Sequence, residues 1–269
     1  MHKSTVVAAW AWALCAVCTN ASAQAAPCVK SLRWVDAAPY SFKDPHGEIR
    51  GLHIDVAREA LRRMGCQTRL LEMPWSRALV ELQLGRLDLL PGAANTRERL
   101  AFAYFTRPTN RARSVLFVTR KVEDKYKLTQ LADIMGTDFR LAVQRNTSLG
   151  TEYDALMKNP AFLSRLTYVY SQKSALLMMA AGRAEGMVVD ELAGMQTIRQ
   201  LGLAPVLTRS KVVTSTDADY IAISKASNDA DFVRRFNNAL ISMQGDGSYK
   251  KILEQYLNCP ISVEKLGCQ

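Results

Sequence analysis

The chain has 269 residues, of which 48% are hydrophobic and 22% are charged. This balance is typical of a folded globular protein and excludes a disordered or fibrous chain. The 35 Lys and Arg residues outnumber the 25 Asp and Glu residues, for a net charge of +10 without any basic run. We interpret the excess as a solvated surface and expect no nucleic-acid partner, although an electropositive cleft would attract anionic ligands.

Residues 1–23 have the pattern of a secretory signal peptide. A basic start precedes an apolar run over residues 6–18, and the small residues Ala21-Ser22-Ala23 follow. A membrane anchor is the weaker interpretation because this run is shorter than the roughly 20 residues that a span needs. We therefore predict export to the periplasm and a mature chain that begins near Gln24.

Four cysteines follow the predicted signal peptide: Cys28, Cys66, Cys259 and Cys268. An even number in an oxidising compartment indicates disulfides, and three pairings are possible. We favour Cys28–Cys66, because both precede what we interpret as adjacent parallel strands, with Cys259–Cys268 pinning the tail. The cysteine spacing does not resemble a zinc site, so we predict no metal and no cofactor.

The first half of the chain alternates strands and helices. We predict strands over 31–35, 68–73 and 87–90, and helices over 55–64 and 76–84. Asp55 is placed to cap the first helix and Gly65 to end it. This alternation predicts an α/β fold with a mainly parallel sheet and right-handed crossovers.

A strand over 114–119 leads into a second block of the same plan. It contains predicted strands over 139–143, 167–170 and 186–189, a helix after Thr147 and another over 174–184. The chain returns through a strand over 220–224 and ends in a helical segment over 229–255, broken at Gly245-Asp246-Gly247. Two similar lobes without a Gly- or Ser-rich linker predict a ligand cleft and hinge strands between them.

The segment over residues 74–108 carries the clearest binding chemistry. Trp75 follows a proline, an amphipathic helix and a short apolar strand come next, and Arg99 lies after the strand end. The segment has no nucleophile, base or metal-ligand set. An aromatic wall and a guanidinium are suited to hold a small carboxylated molecule rather than to break it.

Six short motifs in this order resemble a known family. They are Tyr40-Ser41-Phe42 with Gly51-Leu52-x-Ile54-Asp55, Pro74-Trp75, Gly85-x-x-Asp88, Thr96-x-x-Arg99, Tyr220-Ile221-Ala222-Ile223 and Asp246-Gly247-Ser248-Tyr249. They are similar to the family 3 periplasmic solute-binding proteins, the polar amino-acid-binding components of ABC importers. The resemblance implies a type II periplasmic binding protein fold, with two mainly parallel sheets flanked by helices and joined by two hinge strands. Lobe 1 would contain residues 28–118 and 219–258, lobe 2 residues 122–216, and a C-terminal tail residues 259–269.

The same resemblance implies a function without catalysis. The protein would capture a small carboxylated solute, an amino acid or a related compound, and deliver it as a monomer to an inner-membrane ABC permease. A periplasmic enzyme similar to cyclohexadienyl dehydratases is the rival, although Glu185, Asp190, Glu191 and His53 form no diagnostic constellation. We expect His53 to be an exposed turn residue. A binding protein that serves a sensor is a third possibility.

In the first lobe, the resemblance implies three groups of ligand contacts. Arg99 would bind the ligand's α-carboxylate, and Trp75 and Tyr40 would form aromatic walls. Gly92 and Ala94 follow the predicted strand where relatives use backbone groups and often a Ser or Thr hydroxyl for the ligand's amino group; Ala94 lacks that hydroxyl. The structural alternatives are a surface position for Arg99, core packing for the two aromatic rings and a tight turn for Gly92.

In the second lobe, the resemblance implies contacts from Thr147 and Asp190. Thr147 would lie at a helix start whose backbone N–H groups bind a carboxylate, with Asn146 replacing the usual glycine. Asp190 would bind the α-ammonium, with Glu191 as its rival. Asp190 is equally well placed to cap the following helix.

Overall fold

The protein consists of two α/β lobes, each built around its own sheet. A computed structural model of the chain describes residues 27–111, 113–123, 125–257 and 259–268. The predicted signal peptide lies outside the described residues. The two sheets, flanked by helices, confirm the predicted type II periplasmic binding protein fold.

In the first sheet, three parallel strands are joined on one side by an antiparallel strand. In spatial order the strands are Gln67–Glu72, Val29–Trp34, Leu89–Ala93, Ala218–Ser224 and Ala103–Phe105, and Asn110–Arg111 also pairs with Ala218–Ser224. The strand Ala218–Ser224 runs antiparallel to all its neighbours.

The second sheet repeats this plan. In spatial order its strands are Leu166–Val169, Leu141–Gln144, Gly186–Asp190, Ser114–Thr119 and Leu207–Ser215. The first three are parallel, and Ser114–Thr119 is antiparallel to both its neighbours. In each sheet the antiparallel fourth strand is the one that the chain enters after crossing from the other lobe.

The position of the first crossing corrects a sequence prediction. The strand Ser114–Thr119, most of which the predicted boundaries place in the first lobe, pairs with two strands of the second sheet. Its apolar residues 115–118 are buried within that sheet, so the strand is part of the second lobe and not part of the connection between the lobes. The chain therefore crosses between Arg111 and Ser114, and it returns between Ser215 and Ala218.

Helices cover both faces of each sheet. The first lobe has Leu52–Arg63, Trp75–Gln83, Arg97–Leu100, Ala230–Gly245 and Ser248–Tyr256. The second has Arg120–Glu123, Thr151–Leu156, Pro160–Leu163, Gln172–Ala180, Glu191–Gln200 and the 3-10 helix Leu131–Gly136. Two short strand pairs complete the fold: Phe42–Lys43 with Ile49–Arg50, and Ile261–Ser262 with Gly267–Cys268. Within the described residues, no helix has the length and apolar character needed to cross a bilayer.

The first helix begins earlier than predicted. It starts at Leu52, and Asp55 is not its cap, because the Asp55 carboxylate forms ion pairs with Arg50 and Arg58. Gly51 precedes the helix with a φ of 129°, and a Cβ there would lie 2.4 Å from the carbonyl oxygen of Tyr40. Only glycine therefore allows the Tyr40 loop to pack this closely on the helix start.

Asp88 in the Gly85-x-x-Asp88 motif has a structural role. Its Oδ2 accepts hydrogen bonds from the backbone N–H and hydroxyl of Ser31, at 2.8 and 2.7 Å. Its Oδ1 accepts from the Ser227 hydroxyl at 2.8 Å. The carboxylate thus joins the first strand of the sheet to the loop after the returning strand.

A disulfide fixes the start of the first sheet. Cys28 and Cys66 are bonded as predicted, with their Cα atoms 4.6 Å apart. Each precedes one of two neighbouring parallel strands, in which Val29 pairs with Gln67. Cys259 is also disulfide-bonded; its pairing with Cys268 stays a prediction.

Removing this disulfide is expected to destabilise the protein. The bond closes a loop over a sequence separation of 38 residues, so the Cys28→Ala, Cys66→Ala double variant should lose about 4 kcal/mol of unfolding free energy. Urea denaturation followed by circular dichroism measures the difference. The difference should disappear in dithiothreitol, and equal stability of the two proteins without reductant would contradict the role of the bond.

Candidate functional site

A cavity of about 1190 Å³ lies between the lobes. The segments after strands Val29–Trp34 and Leu89–Ala93 line it from one side, and those after Leu141–Gln144 and Gly186–Asp190 from the other. The carboxyl ends of parallel strands from both sheets therefore meet there, which is where open α/β sheets bind ligands. All seven site residues named from the sequence line this cavity: Tyr40, Trp75, Gly92, Ala94, Arg99, Thr147 and Asp190. That they contact a ligand stays a prediction.

Arg99 is held at the bottom of the cleft and is only 7% exposed. Thr96 caps its short helix by accepting a hydrogen bond from the Arg99 backbone N–H. The guanidinium donates to the carbonyl of Ala94 at 2.9 Å and to that of Asn146 at 3.0 Å. Burial lowers the pKa of Arg99, but a guanidinium stays charged in a protein. Arg99 is thus a fixed positive charge and not a surface arginine.

Trp75 lies beside Arg99 and is half-buried. Its ring centroid is 5.5 Å from the Arg99 guanidinium carbon and 5.6 Å from that of Arg33. Both cations are within the range of cation–π attraction. Arg33 was not identified from the sequence as a site residue; the signal was a charged side chain within an otherwise buried strand. Burial lowers the pKa of Arg33 to about 10.

The turn at residues 145–147 brings the lobes into contact. Asn146 has a φ of 60°, as expected for a residue that replaces glycine. Its carbonyl accepts hydrogen bonds from the Trp75 indole at 2.9 Å and from Arg99. The Thr147 hydroxyl donates to the Gln144 carbonyl at 2.7 Å. The predicted helix start at Thr147 is wrong, because the helix begins at Thr151 after Gly150.

Tyr40, His53 and Gly92 form a packed group on the first lobe. The Tyr40 and His53 rings stack with centroids 4.6 Å apart. Gly92 has a φ of 71°, and a Cβ there would lie 2.8 Å from the His53 ring. The prediction that His53 is an exposed turn residue is wrong, because His53 lies in the first helix and is half-buried. Burial lowers the pKa of His53 to about 4, so its ring is neutral near pH 7.

Asp190 caps a helix and also lines the cavity; its contact with a ligand stays a prediction. Its Oδ1 accepts a hydrogen bond from the Ala193 N–H at 2.8 Å and caps the helix Glu191–Gln200. Its Oδ2 is buried without a hydrogen-bond partner, and burial raises the pKa of Asp190 to about 7. Glu191 forms ion pairs with Arg113 and Arg209 instead. Asp190 therefore faces the cavity and Glu191 does not.

Asp219 is a second carboxylate in the cleft that the sequence did not identify. It lies on the returning strand, and its Oδ2 accepts a hydrogen bond from the Asn110 side chain at 3.0 Å. Asn110 also bonds to the His53 ring at 3.1 Å. Burial raises the pKa of Asp219 to about 6. In the sequence, Asp219 could have been recognised as a carboxylate at the start of a strand that follows a crossing between the lobes.

The charged groups of the cleft lack counter-charges. Within the described part of the chain, Arg99, Asp190 and Asp219 form no ion pair. No group of three or more His, Cys, Asp or Glu among those residues is suited to a metal ion. A solute that carries both a carboxylate and an ammonium group would complement the cation of one lobe and the carboxylate of the other.

Replacing Asp190 should stabilise the empty protein at high pH. The pKa of Asp190 rises from 3.8 to about 7 on folding, so its contribution to stability falls as pH rises from 4 to 7. Asp190→Asn keeps a good helix cap and should raise the unfolding free energy at pH 8 by on the order of 3 kcal/mol. Near pH 4 the two proteins should be equally stable. Urea denaturation at both pH values measures this, and a variant less stable at pH 8 would contradict the assignment.

Comparisons with known proteins agree with this geometry. Residues 34–259 match the family described as bacterial extracellular solute-binding proteins, family 3. The chain is 25% identical over 230 residues to a probable amino-acid-binding protein, YxeM, of Bacillus subtilis, which covers 84% of this chain and 83% of the relative. It is also 25% identical over 230 residues to an L-arginine-binding protein of Pseudomonas aeruginosa, covering 82% of this chain and 84% of that protein.

A solved structure has the same fold. It is the ancestral amino-acid-binding protein AncCDT-1, described as a precursor of cyclohexadienyl dehydratase, with 27% identity and a TM-score of 0.68. The match covers 86% of this chain and 95% of that one. With the family match over residues 34–259, the two sheets and the cleft between them, the chain belongs to the bacterial extracellular solute-binding proteins, family 3.

Proposed function

We propose that this protein is a periplasmic receptor that binds an amino acid or a closely related compound between its lobes and delivers it to an ABC importer. It acts as a monomer and without catalysis. Residues 28–111 and 218–257 form one lobe and residues 114–215 the other, with the two crossings as hinges. The predicted signal peptide supports the location.

The single observation that carries the proposal is the pairing of charges across the cleft. Arg99 on the first lobe and the unpartnered Asp190 Oδ2 on the second lobe face the same cavity. A zwitterionic α-amino acid presents a carboxylate and an ammonium group to such a pair, and each contact is a charge-assisted hydrogen bond. Because the two groups belong to different lobes, a bound zwitterion stabilises the closed form.

The relatives support the same class of ligand. Both are named as amino-acid-binding, one of them for L-arginine. The half-buried Trp75 ring adds a surface for an apolar or cationic side chain. A thermal-shift screen of amino acids would identify the side chain of the ligand.

Dehydratase activity is the second candidate. The similarity to a precursor of cyclohexadienyl dehydratase favours it, as does a cleft carboxyl group, Asp190, whose pKa of about 7 suits a general acid. Incubation of the purified protein with arogenate or prephenate tests it by the absorbance of an aromatic product. Turnover that Asp190→Asn abolishes would replace the receptor proposal. If the protein instead served a sensor, a gene for a sensor protein would be expected beside its own gene.

The first prediction is that an amino acid stabilises the folded protein. A ligand that binds only the native state raises the unfolding free energy, by about 2.7 kcal/mol at a concentration 100 times its Kd. A thermal-shift screen of the twenty proteinogenic amino acids, opines and small dicarboxylates measures this as a rise in Tm. The absence of a shift with every compound would contradict the proposed function.

The second prediction concerns Arg99. Arg99→Ala should weaken binding of the amino acid found in that screen by at least about 30-fold, because the ligand's carboxylate loses a buried charged partner. Arg77→Ala is the matched control, because Arg77 is exposed and forms only an ion pair with Glu81 at 3.8 Å. Calorimetric titration measures both, with circular dichroism to check folding. Unchanged affinity in Arg99→Ala would remove Arg99 from the site.

A further inference from the structure

The position of Asp219 follows from the register of the first sheet. Tyr220 pairs with Ala93 in antiparallel strands, so Asp219 lies beside residue 94 at the carboxyl end of the strand Leu89–Ala93. Asp219 itself pairs with Asn110. The same sheet edge therefore presents Asp219 and the segment 92–94 to the cavity, and both line it.

Ala94 leaves the cleft without a side-chain acceptor at that point. Its methyl group cannot accept a hydrogen bond, and its carbonyl already accepts from Arg99. Asp219 is the carboxylate beside residue 94, where Ala94 offers no side-chain acceptor. One of its oxygens accepts from the Asn110 side chain, and the other can accept a hydrogen bond from a ligand.

Asp190 approaches the same space from the opposite lobe. Its Oδ2 is buried and has no hydrogen-bond partner. The Tyr40 hydroxyl lies near both acids, since burial and the charges of Asp190 and Asp219 together raise the pKa of Tyr40. Two carboxylates from two lobes therefore line the same cavity, close enough for the charge of Asp219 to raise the pKa of Asp190, and within the described residues neither has an ion pair.

We propose that Asp219 is a ligand-binding residue that forms, together with Asp190, a two-carboxylate site for the ammonium group of the solute. The inference rests on the proposed function and adds a contact to it. An ammonium group has three N–H donors, and two of them would reach one oxygen of each acid. The receptor would therefore select solutes with a free amino group, and binding would draw the two acids together as the lobes close.

The charges around the pair make this binding depend on pH. The groups around the two acids include Tyr40 and His53, which are neutral, the amide of Asn110, and Asp217, whose charge raises the pKa of Asp219; the cations Arg33 and Arg111 line the same cavity. No cation among the described residues is paired with them. With pKa values near 7 and 6, the empty site holds part of a proton at pH 6.5, and a bound ammonium group expels it. Affinity should rise as pH increases from 5 to 8.

The experiment compares two Asp→Asn variants by calorimetric titration. The probe is whichever of the twenty proteinogenic amino acids wild type binds most tightly. Asp219→Asn keeps an acceptor for Asn110 and should weaken binding by about tenfold or more, the loss expected for a hydrogen bond to a charged group. Asp231→Asn is the matched control: this acid is exposed outside the cavity, forms an ion pair with Arg235 at 3.0 Å and should change affinity by less than about twofold. Thermal unfolding of both variants checks that they fold.

Proton exchange provides the second readout. Titration of wild type at pH 6.5 in two buffers of different ionisation enthalpy should show protons released on binding, and Asp219→Asn should release fewer. Wild type that binds an amino acid without proton release, or an Asp219→Asn variant that folds and binds like Asp231→Asn, would overturn the inference and leave the proposed function standing. Failure of wild type to bind any of the twenty would overturn both.

Discussion

The constraint on which the site depends is charge held away from water without an opposite charge. Within the described residues, Arg99 is buried and forms no ion pair, Asp190 has a buried oxygen without a hydrogen-bond partner, and the side chain of Asp219 accepts a hydrogen bond from the Asn110 amide. Removing such charges from water costs several kcal/mol each unless an opposite charge follows. The empty cleft therefore carries a free-energy cost that a zwitterionic solute would remove. A site of this kind favours closure around ligand, because the compensating charges come from the solute.

The fold supplies this arrangement with few elements. The parallel strands of both sheets end at the cleft, so their first loop residues meet there. Arg99 is held by the carbonyls of Ala94 and Asn146, one from each lobe. Asp190 caps a helix with one oxygen, which fixes the direction of the other. Asn110 and Asp219 lie beside the two crossings, where their strands pair with each other.

The sequence predicted those features that local pattern determines. Strand and helix order, the break at Gly245-Asp246-Gly247 and the placement of Arg99 and Asp190 after strand ends follow from periodicity and capping. It did not predict contacts made by distant pairing: His53 stacks on Tyr40 because Gly92 leaves room, and Asp219 reaches the cleft because Tyr220 pairs with Ala93. The strand Ser114–Thr119 was assigned to the wrong lobe for the same reason, since an apolar run does not indicate which sheet will bury it. Asp55 was predicted as the cap because the true helix start, Leu52 after Gly51, carries no capping side chain that the sequence could show.

The central claim is that the cleft recognises opposite charges on one small solute. Its most direct test is a calorimetric titration of wild type with an amino acid that it binds and with two analogues of that amino acid. The 2-hydroxy acid lacks the ammonium group, and the carboxamide lacks the carboxylate. The account predicts one site per chain for the amino acid and a loss of at least about 30-fold in affinity for each analogue. Equal affinity for the amino acid and either analogue would contradict it.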